Sequence, residues 1–180
     1  LFHRDIAMRF TQPLRAGLAL ALLASLPGDA CGATPTADTL RVENAAIRLG
    51  FDGGRGALVE FTDRASGQAF VGPGGPPGDL WLVVLPPGGA KAAVSPGDAK
   101  SFSVEPAAGR AGARLVWSDF GMPSAPRLQV VVTVGVPGGE PMSVWHIALS
   151  GLDSLGVEQV RFPRITGIPP LGPGEEMAVP

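Results

Sequence analysis

Two carboxylates facing each other across a cleft perform glycoside hydrolysis, one as acid and the other as nucleophile or base. Six acids are candidates by position: Glu60, Asp63, Asp79, Asp119, Asp153 and Glu158. Glu60 and Glu158 fall at polar positions inside apolar alternation. Asp63, Asp79 and Asp153 fall at turns, where Asp commonly bonds its own backbone. No spacing sets one pair apart, so no catalytic pair is assigned. Serine catalysis needs an activated Ser, and the Gly-x-Ser-x-Gly elbow is absent. His146 sits between Trp145 and Ile147, the surroundings of a packed residue rather than of a base. His3 lies upstream of Met8, the expected start. The run 72–78 (GPGGPPG) lacks the Lys-Ser/Thr of a phosphate loop and leads into a strand pattern, so it is read as a turn.

Three tryptophans, Trp81, Trp117 and Trp145, are the residues suited to stacking on a sugar. Each stands among Leu, Val or Ile, which favours a place in the core over a contact surface. Tyr, the ring with a polar handle that such platforms favour, is absent. Trp81, Trp117, Trp145 and His146 are therefore the candidate carbohydrate or interdomain contacts, with core packing as the competing role. One Cys excludes a disulfide framework and a multi-Cys metal site, and two His leave a His-based metal site short of ligands. No metal and no cofactor is expected.

The elements that position these residues follow from composition and pattern. The chain has 180 residues, 17% of them charged, with a net charge of −2. That balance offers no basic face to a polyanion, so nucleic acid is not an expected partner. Gly and Pro, 26 and 19 residues, together make up a quarter of the chain. With 45% of residues hydrophobic, the chain can still bury a core, so Gly and Pro are read as punctuation between short strands.

The N-terminal stretch reads as an address. Met8, Arg9 and Arg15 precede an apolar run, 18–26 (LALALLASL), of secretory-signal length and too short to span a bilayer. Small residues follow, with expected cleavage after Ala30 or Ala33. The protein is expected to be exported. Cys31 would anchor it to a membrane only if lipidated, although the Leu that lipoprotein signals carry before the cut is missing.

From 40 onward the pattern is that of strands. Signals rich in Val, Leu and Phe fall at 40–43, 46–51, 57–62, 80–85, 101–105, 113–118, 127–136, 142–150 and 157–162. In 127–136, Leu128, Val130, Val132, Val134 and Val136 share one face, which predicts a strand buried on one side. In 142–150 both faces are largely apolar, which predicts a central strand covered on both sides. No sustained helical period appears after 34. The fold class expected is all-β, an antiparallel β-sandwich preceded by a signal helix. Its organisation is 1–33 upstream residues and signal, 34–39 linker, 40–165 sandwich, and 166–180 a Pro/Gly-rich loop leading to a further C-terminal domain.

Three stretches carry a resemblance. They are 40–49 (LRVENAAIRL) with 56–67 (GALVEFTDRASG), then 115–118 (LVWS), then 143–147 (SVWHI) leading to 157–165 (VEQVRFPRI) and 170–172 (PLG). Together they resemble the N-terminal galactose-mutarotase-like sandwich of large secreted bacterial glycoside hydrolases. In that family the sandwich is an accessory domain and the catalytic carboxylates lie in a following (β/α)₈ barrel. The resemblance thus implies a non-catalytic module that braces a downstream catalytic domain of the same polypeptide, with polysaccharide as a further partner. It assigns no catalytic residue to this chain. The alternative is a stand-alone exported glycan-binding or envelope structural domain.

Overall fold

The computed structural model describes residues 4–9, 39–72, 77–87, 89, 91–107, 112–138 and 140–168, the first of these through the backbone. The expected signal helix, Cys31, the cleavage positions and 169–180 lie outside the described residues. The strands are β1 (Arg4–Arg9), β2 (Thr39–Glu43), β3 (Ile47–Asp52), β4 (Leu58–Asp63), β5 (Ala69–Val71) and β6 (Leu82–Val84). They continue as β7 (Ala93–Val94), β8 (Ser101–Pro106), β9 (Gly112–Ser118), β10 (Gln129–Gly135), β11 (Met142–Ser150) and β12 (Gln159–Arg161). One 3₁₀ turn, Pro96–Asp98, is the sole helical element among the described residues. The chain is all-β and its strand pairs are antiparallel, as the pattern predicts.

The strands form three sheets: β1-β11-β10-β9-β8, β2-β3-β4-β5 and β12-β6-β7. Period-two alternation sets which side of each strand is inside. On β10, Val130, Val132 and Val134 are fully buried while Gln129, Val131, Thr133 and Gly135 are half-exposed. Register carries this across the sheet, since Val130 pairs with Trp117 and Leu149, and Val132 with Leu115 and Ile147. The four-stranded sheet supplies Leu49, Phe51, Leu58 and Phe61 to the same core. Phe51 meets Trp145 edge-on at 5.8 Å between ring centres, and Trp81 meets Trp117 at 5.6 Å, so all three sheets join in one apolar interior.

Turn residues close the hairpins. Asp52 accepts the N–H groups of Gly54 and Arg55 through its carboxylate, and Gly56 at φ 71° completes the β3–β4 turn. Asp63 does the same for Ala65 and binds the Ser66 hydroxyl, with Gly67 at φ 74°. Asn44 reaches further. Its Oδ1 accepts the N–H groups of Ala46 and Ile47, and its Nδ2 donates to the carbonyls of Pro137 and Glu140. One amide therefore shapes the β2–β3 turn and ties it to the β10–β11 loop of the opposite sheet.

Three features differ from expectation. Strands β5 and β7, of three and two residues, are too short to show alternation. The backbone of β1 pairs with β11, where the sequence suggested no element. The covering of β11 on both faces is also corrected. Ser143, Trp145, Ile147 and Leu149 are buried, but Met142, Val144, His146 and Ala148 are half-exposed. The strand does lie inside its sheet, between β1 and β10. Its second apolar face is a half-open surface rather than a second core layer.

Candidate functional site

The acids that might act as a catalytic pair are mostly bound elsewhere. Glu60 accepts from Arg41 at 3.0 Å and lies 3.6 Å from Arg48. Asp63 is held in its turn, Asp153 pairs with Arg127, and Asp119 stands 3.9 Å from Lys100. Asp79 and Glu158 are exposed. Among the described residues no group of three His, Cys, Asp or Glu could hold a metal ion.

The three tryptophans are 0%, 0% and 1% exposed for Trp81, Trp117 and Trp145. None offers a ring face to an external sugar, so the stacking role is replaced by the core role their strand neighbours favour. Trp117 donates from Nε1 to the Arg55 carbonyl at 3.0 Å, and Trp145 donates to the Ser143 hydroxyl at 2.8 Å. Each buries a ring and satisfies its N–H. His146 is separated from them. It stands on the outward side of β11, in register with Thr133 of β10.

A cavity of about 90 Å³ opens between Leu85, Pro86, Lys91, Met122, Pro123 and Leu155. It is well below the size of a small-molecule site, commonly about 300–1,000 Å³. Its one charged lining group, Lys91, is engaged by Asp98 at 2.6 Å. This hollow has neither the volume nor the acid for glycoside chemistry.

The informative feature is the contrast between two outward sheet faces. The four-stranded sheet carries a ladder of charge: Arg41, Glu43, Arg48, Glu60 and Arg64. Gly50 stands between Arg41 and Glu60 in register, and having no side chain it lets the guanidinium reach across one strand to the carboxylate. These exposed pairs are each worth about 0–1 kcal/mol. They mark a face made for water.

The five-stranded sheet is different. Rows across it read Ser103, Val116, Val131, Ala148, then Glu105, Arg114, Thr133, His146, and then Gly112, Gly135, Val144. Val116 is 8% exposed although it points away from the core. Among described side chains on this face, the charged residues are Glu105 and Arg114, which lie 3.6 Å apart toward the β8 edge. Sequence inspection finds the apolar character of β11 but not this patch, because the patch exists only once β9, β10 and β11 are in register.

Carboxylates also set a pH dependence. Arg48 binds Glu43 and holds its carboxyl below the ordinary value. The Ser66 hydroxyl does so for Asp63. For Asp98, burial pushes the value up, but the Lys91 ammonium and the Ser95 N–H outweigh it and leave the group lowered. A carboxyl lowered in the folded state stabilises when ionised. That contribution is complete above the unfolded value of about 4 and disappears as pH falls through the lower folded value. Urea midpoints should therefore fall as pH drops from about 5 toward 2. Asp98→Asn should lower the midpoint at neutral pH and flatten this fall; an unchanged slope would remove Asp98 from the set.

Compared with protein-family models, with curated proteins and with solved structures, the chain has no match in any of the three.

Proposed function

We propose that this chain is a non-catalytic β-sandwich of an exported carbohydrate-active enzyme, and that it braces a catalytic domain of the same polypeptide. The observation that carries the bracing role is the half-open outer face of the five-stranded sheet, where the described side chains form one ion pair, Glu105 with Arg114, set against the charge ladder of the four-stranded one. A sheet face with Val, Ala and Gly on two of its rows and a single ion pair toward one edge is suited to packing on protein, whereas a charge ladder is suited to water. The engagement of Glu43, Glu60, Asp63, Asp98 and Asp153 supports a role without catalysis. Carbohydrate as the substrate class of the parent enzyme rests on the resemblance of 40–49, 56–67, 143–147 and 157–165 to accessory sandwiches of secreted glycoside hydrolases. Export rests on the basic residues and apolar run before Ala30.

Two experiments test this reading. The purified chain, incubated at micromolar concentration with a panel of aryl glycosides, should release no aryl alcohol above buffer. Turnover that follows the protein through purification and falls with Glu60→Gln or Glu158→Gln would overturn the non-catalytic role. Alkaline phosphatase fused after Thr39 should be active in an exporting bacterium and lose activity with Leu22→Asp. Equal activity from both fusions would remove export.

A further inference from the structure

The outer face of the five-stranded sheet carries its charge, among the described side chains, in the single row Glu105, Arg114, Thr133 and His146. Glu105 stands at the end of that row, on β8, with its side chain 60% exposed. Arg114 stands one strand further in. Its Nη1 lies 3.6 Å from the Glu105 carboxylate, too far for a hydrogen bond, and the guanidinium makes none among the described residues. The Thr133 hydroxyl and the His146 ring continue the row with groups able to donate. Two residues along the strands, about 7 Å away, runs the apolar row of Val116, Val131 and Ala148.

Protein packed on the apolar row covers Arg114 as well. A guanidinium taken out of water without an acceptor is strongly unfavourable, so the covering surface must bring one. A carboxylate matches both its charge and its forked donors. A neutral sugar is the poorer occupant, because no aromatic ring stands on these rows for it to stack on. Gly135 points the same way. It pairs with Gly112 and Val144 without a register shift, its φ is not positive, and nothing lies within 4 Å of an added Cβ. Neither a bend, a bulge nor crowding accounts for a residue that weakens a strand. The remaining use of such a Gly is the close approach of another backbone.

We propose that the companion domain seats on this face by an apolar surface that places a carboxylate on Arg114, beside Thr133 and His146, and brings its own backbone close over Gly135. Val116, Val131 and Ala148 supply the apolar contact. Arg114 and Gly135 decide which surface fits, the first by charge and the second by leaving room. This inference rests on the bracing reading and names the chemistry of the partner. It does not require that the parent enzyme act on carbohydrate.

The test reads how far the face is covered. In a Cys31→Ser background, Val131→Cys puts a thiol on the apolar row. Its reaction with a small maleimide is followed by peptide mass in this chain alone and in the whole polypeptide that carries the companion domain. Tethering at an effective concentration of millimolar order should slow the reaction in the whole polypeptide at least about tenfold. Removing one side of a buried charge pair shifts docking by about thirtyfold or more, so Arg114→Met should return the rate to that of this chain alone. Arg114→Lys keeps the charge and should keep most of the protection. Gly135→Val should also abolish protection, yet leave the urea midpoint of this chain no lower, because the space above Gly135 is open. Arg48→Met, on the charge ladder of the other sheet, should leave the protection unchanged. Native-like Trp emission establishes that each variant is folded. Equal rates in the two proteins before any further substitution mean that the face is uncovered, and the bracing reading and this proposal fall together. Protection that survives Arg114→Met leaves the bracing standing and overturns the carboxylate. Protection of this chain alone by polygalacturonate, or by a dimer seen in equilibrium sedimentation, assigns the face to an acidic polysaccharide or to a second copy and overturns the proposal too.

Discussion

Trp117→Ala is expected to lower unfolding free energy by about 3–5 kcal/mol, the range for truncating a large buried aromatic. Trp117 is 0% exposed and lies where the sheets meet. Its ring packs edge-on against Trp81 at 5.6 Å and tilted against Phe102 at 5.1 Å. Its Nε1 closes the β3–β4 turn through the Arg55 carbonyl. Alanine leaves a cavity that three sheets cannot all collapse into, and it deprives that carbonyl of its donor. Trp117→Phe keeps most of the packing and loses the hydrogen bond, so it should cost less, about 1–3 kcal/mol. Urea unfolding with an unchanged slope would measure both. Equal losses for Ala and Phe would mean that the hydrogen bond, not the ring volume, dominates.

Gly151→Ala should be comparably damaging for a different reason. Gly151 follows β11 at φ 66°, a conformation that costs a residue with a Cβ about 1–2 kcal/mol. An added Cβ would also stand 1.9 Å from the Arg127 carbonyl oxygen and 2.5 Å from its carbon. The collision is with backbone, so no rotamer relieves it, and overpacking adds about 1–3 kcal/mol. The control is Gly67→Ala. Gly67 has φ 74° but nothing within 4 Å of an added Cβ, so only the conformational part should appear. If the two substitutions cost the same in thermal or urea unfolding, the close approach of Arg127 has no energetic weight.

Much of this fold was legible because its longest strands obey one rule. The alternation of Leu128, Val130, Val132, Val134 and Val136 identified both β10 and its buried side. The hydrophobic neighbours of the tryptophans identified their place in the core. What was illegible had two physical origins. β5 and β7 contain too few residues for a period to be visible, so their strands exist through pairing rather than pattern. Asn44 is locally a turn residue between two strands, accepting the N–H groups of Ala46 and Ile47. Its bonds to Pro137 and Glu140 join positions more than 90 residues apart, which no local spacing encodes. The apolar patch on the outer face has the same origin. Val116, Val131 and Ala148 become one surface through register alone.

The burial of all three tryptophans, in a chain with no Tyr, also makes the protein its own optical probe. At the red edge of protein absorption, where Phe is silent, its ultraviolet signal comes from rings in the interior. Trp81 and Trp117, 78° apart at 5.6 Å, are close enough for their transitions to couple. Near-ultraviolet circular dichroism should then carry a signed couplet that belongs to this pair alone. Because one ring lies next to the three-stranded sheet and the other on β9, the couplet reports how those two parts are seated on each other.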